Sequence, residues 1–322
     1  MKRGQTSLSV VILGLLGGIL TAGALAADAP SRAASRPAGI ANTWSGVERI
    51  VAIADVHGDF GQFVKALTAA GVIDAKANWT GGKTHLVQTG DILDRGGDSK
   101  KAMDLLMKLE PQAIKAGGRV HALLGNHELM VMTNDLRYVH PGEYKAFGGK
   151  PGFARAMSKS GKYGKWMRGH NAVIKINDVL FMHGGLNQQW MKLSLDRINA
   201  DIRKALHTGP YRGGLLGSSG PMWYRGWAVA DVAAVAAQCD PVFKKYGVKH
   251  AVIGHTPRRS ITPLGQGRVI AADTGMCAYY GGQPAALVIE KHRYLAVYPG
   301  RKPVALKVDY KQPTNTPARK AG

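Results

Sequence analysis

Short apolar runs recur along the chain, and several stop abruptly at Gly, Asp, His or Asn. Ile50 to Ala54 runs into Asp55-Val-His57-Gly58. Leu86 to Thr89 runs into Gly90-Asp91-Ile-Leu-Asp94-Arg95-Gly96. Val120 to Leu124 runs into Gly125-Asn126-His127-Glu128. Each run has the length and β-favouring composition of a strand, and each polar group marks a loop. Gly61 to Gly71 carries apolar residues at helical spacing and a terminal Gly, so it reads as a helix. With the strands at 50–55 and 84–89 it makes a βαβ unit. Ser99 to Ala116 reads as a second helix, with Met103, Leu105, Leu106 and Leu109 near its buried face and an expected break at Pro111. Ala172–Ile176 and Val179–Met182 read as a hairpin about Asn177-Asp178. Helices are expected at 193–207 and at 231–246, the latter interrupted near Pro241. Gly213 to Gly220 reads as a flexible loop. Four further strands are expected at 249–253, 268–272, 285–290 and 294–298.

The polar groups at these strand ends are chemically specific. Open α/β sheets place ligands at the carboxyl ends of their strands. Asp55, His57, Asp91 and Asn126 offer carboxylate, imidazole and amide oxygen, which suit a divalent Mn, Fe, Zn or Mg. No cysteine stands among them, which argues against a structural zinc site. A carboxylate has two oxygens, so Asp91 could serve a pair of ions.

Asp-x-His-Gly at 55–58, Gly-Asp-x-x-Asp-Arg-Gly at 90–96 and Gly-Asn-His-Glu at 125–128 resemble the signature of the calcineurin-like metallophosphoesterases, phosphoprotein phosphatase branch. His183-Gly-Gly-Leu186 and Val252-Ile-Gly-His-Thr256 complete the set in the family order. The first motif departs in having Ala54 where Gly is usual. The resemblance implies an α/β sandwich of two mixed sheets flanked by helices. It implies two metal ions, one held by Asp55, His57 and Asp91, the other by Asp91, Asn126, His183 and His255. It further implies phosphomonoester hydrolysis by direct in-line attack of a hydroxide shared by the ions, with His127 as general acid oriented by Asp94. Arg95 and Arg225 would hold phosphoryl oxygens. The leader, His-Gly-Gly-Leu and the Trp-Tyr-Arg-Gly stretch make the chain similar to the bacterial Shewanella-like protein phosphatases, some of which prefer phosphotyrosine. Two alternatives remain: a symmetrical dinucleoside-polyphosphate hydrolase, which shares these motifs, and a non-catalytic basic phosphate-binding protein.

Composition adds context. The net charge of +22 favours acidic partners, a phosphorylated protein or a small phosphoester among them. No zinc finger, RNP or helix-turn-helix pattern points to a specific nucleic-acid partner. Lys2 and Arg3, an apolar stretch from Leu8 to Leu20 and Ala24-Leu-Ala26 read as a signal peptide over 1–26. Export to a bacterial periplasm or beyond is expected, with no membrane span after its removal. Residues 27–45 read as a flexible linker, 46–299 as the metallophosphoesterase domain and 300–322 as a basic, disordered tail. Residues 134–170 hold six aromatics, eight Lys or Arg and two acids, and read as an insertion beside the site. Its aromatics could receive a phosphorylated aromatic group or pack inward as a small lid. Cys239 and Cys277 could pair in an oxidising compartment or stay as buried thiols; spacing leaves both open.

Overall fold

The computed structural model describes residues 40–209 and 212–308. The expected leader, most of the linker and the end of the tail lie outside the described residues. In chain order, β1 (Thr43–Trp44) and β2 (Arg49–Ile53) precede α1 (Phe60–Ala69), β3 (His85–Gln88), α2 (Ser99–Lys115) and β4 (Arg119–Ala122). Four short helices follow: α3 (Asn126–Met132), α4 (Pro141–Ala146), α5 (Lys150–Met157) and α6 (Lys162–Arg168). The hairpin of β5 (Val173–Ile176) and β6 (Val179–Met182) leads to α7 (Leu195–Thr208), α8 (Gly226–Val229) and α9 (Val232–Tyr246). The remaining strands are β7 (His250–Ile253), β8 (Thr262–Leu264), β9 (Val269–Ala271), β10 (Ala286–Glu290), β11 (Arg293–Val297) and β12 (Val304–Ala305).

These strands form two mixed six-stranded sheets, ordered β1-β5-β6-β7-β9-β8 and β12-β11-β10-β2-β3-β4. The βαβ unit is present: β2 pairs with β3, and β3 with β4, all parallel. The apolar runs are continuous because both faces of the strands are covered. In β2, Ile50 and Ala52 point into a core shared with Ile174, Phe181, Val252 and Ile270 of the other sheet. Val51 and Ile53 point the other way, into a core with Phe63 and Leu67 of α1 and Leu106 of α2. Helix–sheet–sheet–helix layering follows from that two-sided burial.

Two details differ from the sequence reading. Helices α2 and α9 run through Pro111 and Pro241 without a break. An internal proline costs about 3 kcal/mol. Buried side chains on both sides, Leu109 and Ala113 in α2, Cys239 and Phe243 in α9, hold each helix to its core and outweigh it. The sheets also extend past the expected boundaries. Thr43–Trp44 pairs with Lys175–Ile176 inside the expected linker, and Val304–Ala305 pairs with Leu295–Ala296 inside the expected tail. Two-residue strands are too short to show a period. Cys239 and Cys277 are both free and buried. His85 and His121 lie 3.0 Å apart by their ring nitrogens under Trp44, in a structural role.

The basic, aromatic segment packs mostly inward. Phe147 meets Phe153 and Tyr163 edge-on, and Tyr144 meets Phe153. Tyr163 Oη and Trp166 Nε1 donate to Asp104 and Glu110 of α2, both at 2.8 Å. Glu143 of α4 completes the dock: Ser99 N–H, the first of α2, donates to its Oε1 at 2.6 Å. Its Oε2 has no partner. Burial raises the Glu143 carboxyl to about 6, against the opposing Ser99 hydrogen bonds. A raised carboxylate pKa means that its stability contribution is fullest below its unfolded value and is lost as pH rises through about 6. Glu143→Gln keeps the acceptor and removes the charge. It should gain on wild type between pH 5 and pH 8, by up to about 2 kcal/mol. Urea midpoints of both proteins at the two pH values test this; a difference that does not grow with pH would show the buried charge to be harmless.

Candidate metal centre

Five strands deliver the site. Asp55 and His57 follow β2, Asp91 follows β3, Asn126 opens α3 after β4, His183 follows β6 and His255 follows β7. All six are buried. The backbone must turn sharply to aim them. His57, Asp91, Asp94, Arg95 and His255 all have positive φ, from 46° to 72°. Non-glycine residues adopt this region at a cost, and clusters of them mark functional sites. Two glycines make room: a Cβ on Gly125 would stand 2.1 Å from Asp91 Oδ1, and one on Gly254 would stand 2.3 Å from Asp55 Oδ1. Ala54, where Gly is usual, is buried.

The ring tautomers decide what the cluster wants. A carbonyl only accepts, so each nitrogen facing one carries the proton. His57 Nδ1–H donates to Leu93 O at 3.0 Å, His183 Nδ1–H to Thr89 O at 3.1 Å and His255 Nε2–H to Trp223 O at 3.2 Å. The opposite nitrogen of each ring then presents a bare lone pair to the centre. Burial lowers His57 to about 4 and His255 to about 2, so both rings are neutral near pH 7. Around His183 Nε2 stand Asn126 Oδ1 at 3.0 Å, His255 Nδ1 at 3.1 Å and Asp91 Oδ2 at 3.1 Å. His57 Nε2 faces Asp91 Oδ2 at 3.7 Å and Asp55 Oδ2 at 3.8 Å. Lone pairs converge here, and burial together with Asp273 and Asp91 raises the Asp55 carboxyl well above its ordinary value, a crowding that a cation relieves. Backbone carbonyls behind the rings fix them, as is usual behind metal-ligating histidines. Asp91 belongs to both groups of potential ligands, one with His57 and His127 and the other with His183 and His255.

His127 belongs to the first of these groups but is also paired with a carboxylate outside them. Its Nδ1 is 2.6 Å from Asp94 Oδ2, and its Nε2 is 3.9 Å from Asp91 Oδ2. Burial opposes its charge, but Asp91 and Asp94 outweigh that and raise it above its ordinary value. A protonated ring donates through both nitrogens and has no lone pair for a metal. Arg95 stacks on Tyr138 with 3.8 Å to the ring centroid, and Tyr279 stands 4.7 Å away. Arg225 Nη1 donates to His255 O at 2.6 Å and to Thr256 Oγ1 at 2.8 Å. Among the described residues neither guanidinium has a carboxylate partner. The structure thus places the six ligand-type residues, His127 and Asp94 together, with Arg225 reaching them at His255 O and Arg95 only by way of Tyr138.

The model of the calcineurin-like phosphoesterase family matches residues 48–259. The chain belongs to that family. It is 31% identical over 274 residues to Shewanella-like protein phosphatase 1 of Plasmodium berghei, covering 79% of this chain and 74% of that one. It is 30% identical over 302 residues to Shewanella-like protein phosphatase 2 of Arabidopsis thaliana, covering 76% and 75%. Among solved structures it is similar to the cold-active protein-tyrosine phosphatase of a psychrophilic Shewanella species. There the TM-score is 0.75 at 33% identity, over 83% of this chain and 82% of that one. The two mixed sheets flanked by helices are the fold of this similar structure. The two overlapping ligand groups fit the binuclear chemistry of the metallophosphoesterases.

Three features of this metallophosphoesterase were not assigned from sequence. Glu128 accepts four backbone N–H bonds, from Asp91, Ile92, Leu93 and Gly125, at 2.7–3.2 Å, and so ties two metal-site loops together. It stood in the third motif, but its role depends on a loop 36 residues away. Asp273, after β9, lies against Asp55 with its Oδ2 unpartnered, and burial raises it to about 6. Its place at a strand end was visible. Tyr138, Tyr279 and Tyr280 ring the mouth: Tyr138 lies 5.4 Å from the His127 ring and Tyr280 lies 5.3 Å from His57. No local signal joins these three.

Proposed function

We propose that the chain is a metal-dependent protein phosphatase that hydrolyses phosphate monoesters of protein side chains and prefers phosphotyrosine. The observation that carries this is the convergence of carboxylate, amide and imidazole ligand atoms, the ring nitrogens held by carbonyls behind them, beside an Asp94-paired His127. Asp55, His57 and Asp91 would hold one ion, and Asp91, Asn126, His183 and His255 a second. Oxygen and imidazole donors without thiolate fit Mn, Fe or Zn. When bound, two such ions supply Lewis acidity and a more acidic water. The chain's own residues do the rest. Arg95 and Arg225 hold the phosphoryl oxygens, where a planar guanidinium can engage two at once. His127 Nε2 gives its proton to the leaving oxygen while Asp94 holds Nδ1–H. The aromatic rim supports the phosphotyrosine preference, since the exposed Tyr279 ring stands beside Arg95, where a substrate ring would enter.

The test is the metal-stripped protein, reconstituted separately with Mn, Fe and Zn. Substrates are nitrophenyl phosphate, phosphotyrosine and phosphoserine peptides, and diadenosine tetraphosphate. Metal-dependent turnover of the phosphopeptides, fastest on phosphotyrosine, is expected. Turnover of the dinucleotide alone, or binding without turnover, would overturn the reading.

A further inference from the structure

A groove of about 680 Å³ opens beside the metal centre, between α3 and the segment 212–223. Its floor is apolar, from Leu129, Met130, Leu216 and Trp223. Its mouth is cationic, with Arg137 and Arg212, both exposed, against the single acid Asp135. Arg137 grips Asp135 through Nε and Nη2, at 2.8 and 2.6 Å. That pair is neutral as a unit, so Arg212 gives the mouth a net positive charge.

The groove is continuous with the chemistry at both of its walls. Trp223, on one wall, takes the His255 N–H with its carbonyl and turns its ring edge-on to His255 at 6.1 Å. On the other wall, α3 begins with Asn126 and His127 and carries Leu129 and Met130 onward. At 1.5 Å per helical residue, Met130 lies about 4.5 Å and Thr133 about 9 Å beyond His127 along the helix. An extended peptide advances about 3.3 Å per residue. The groove is therefore within reach of side chains about one to three residues from a phosphorylated residue at the centre.

We propose that this groove receives the peptide segment flanking the phosphorylated residue, and that Arg137 and Arg212 select an acidic side chain in that segment. The inference rests on the protein phosphatase reading and adds a sequence preference to it. The apolar floor takes the body of the flanking residues, and the cationic mouth takes their carboxylate. Exposed charge pairs are modest and screened by salt, so the preference is one of degree.

The experiment compares phosphopeptides identical except for Glu, Ala or Lys at each of the three positions on either side of the phosphorylated residue. Nitrophenyl phosphate, which has no flanking residues, is the control. In the wild type, kcat/KM should favour Glu over Lys by about fivefold at one or more positions, less at high salt. Arg212→Glu should reverse that order and leave nitrophenyl phosphate hydrolysis unchanged. Arg137→Ala, which leaves Asp135 unpaired, should also weaken the Glu peptide. If all peptides are cleaved equally by the wild type, or if Arg212→Glu keeps the preference, the groove inference is wrong while the phosphatase reading stands. If no phosphopeptide is cleaved while nitrophenyl phosphate is, both fall.

Discussion

Asp91→Asn should abolish binding at both metal positions and lower turnover by on the order of 10³-fold or more, the loss expected when a preorganised electrostatic site is broken. Asp91 has φ +57°, a conformation that Asn tolerates, so the backbone of the loop should survive. Its Oδ1 accepts His127 N–H at 2.9 Å, and an amide oxygen can keep that bond. The change falls on the other atom. Oδ2 faces His183 Nε2 at 3.1 Å and His57 Nε2 at 3.7 Å. An amide N–H there would satisfy those lone pairs directly and remove the reason for a cation. Elemental analysis should find wild-type protein with two ions and the variant with few. Metal addition should raise the melting temperature of the wild type only, since a ligand at 100 times its Kd stabilises by about 2.7 kcal/mol. A variant that keeps two ions and wild-type turnover would remove Asp91 from the centre of this site.

What the sequence made legible was what each strand carries by itself. β2, β3, β6 and β7 are short and buried on both faces, β4 is buried in its second half, and each is followed by a polar break, so run length and that break located each within two residues. The six ligand-type residues all stood at such breaks, and the structure brings them together because the strands bearing them point the same way. What stayed hidden depends on distance. Arg95 owes its posture to Tyr138 and Tyr279, from segments 43 and 184 residues away by subtraction, and its N–H donates to Tyr138 O at 3.1 Å. Glu143 caps α2 from outside it, where Asp98 supplies no side-chain cap. Pro111 and Pro241 misled because a local rule was applied where tertiary burial decides. The segment at 134–170 divides along the same line. Four of its aromatics answer to one another, and only Tyr138 answers to the site.

His127→Asn should leave both metals in place and slow hydrolysis by about 10²–10⁴-fold for esters with poor leaving groups, the usual worth of a general acid. The geometry separates acid from ligand. The His127 backbone N–H, not its ring, bonds Asp91, and that bond survives the substitution. The ring is turned to Asp94 through Nδ1, which leaves Nε2 as the proton donor. Nitrophenyl phosphate, whose leaving oxygen needs little protonation, should lose least. Phosphotyrosine should lie between it and phosphoserine. The pH profile gives a second reading. Asp91 and Asp94 raise His127 against burial, so the acid form persists to higher pH than an ordinary histidine. Asp94→Asn removes one of those carboxylates; Asn suits its φ of +72°, and the His127 pKa should fall. The alkaline limb of phosphoserine hydrolysis should therefore move to lower pH in Asp94→Asn. Rates against leaving-group pKa, with metal content measured on the same samples, decide the matter. If His127→Asn loses an ion, or if every ester slows by one common factor, His127 holds metal or structure and some other group supplies the proton.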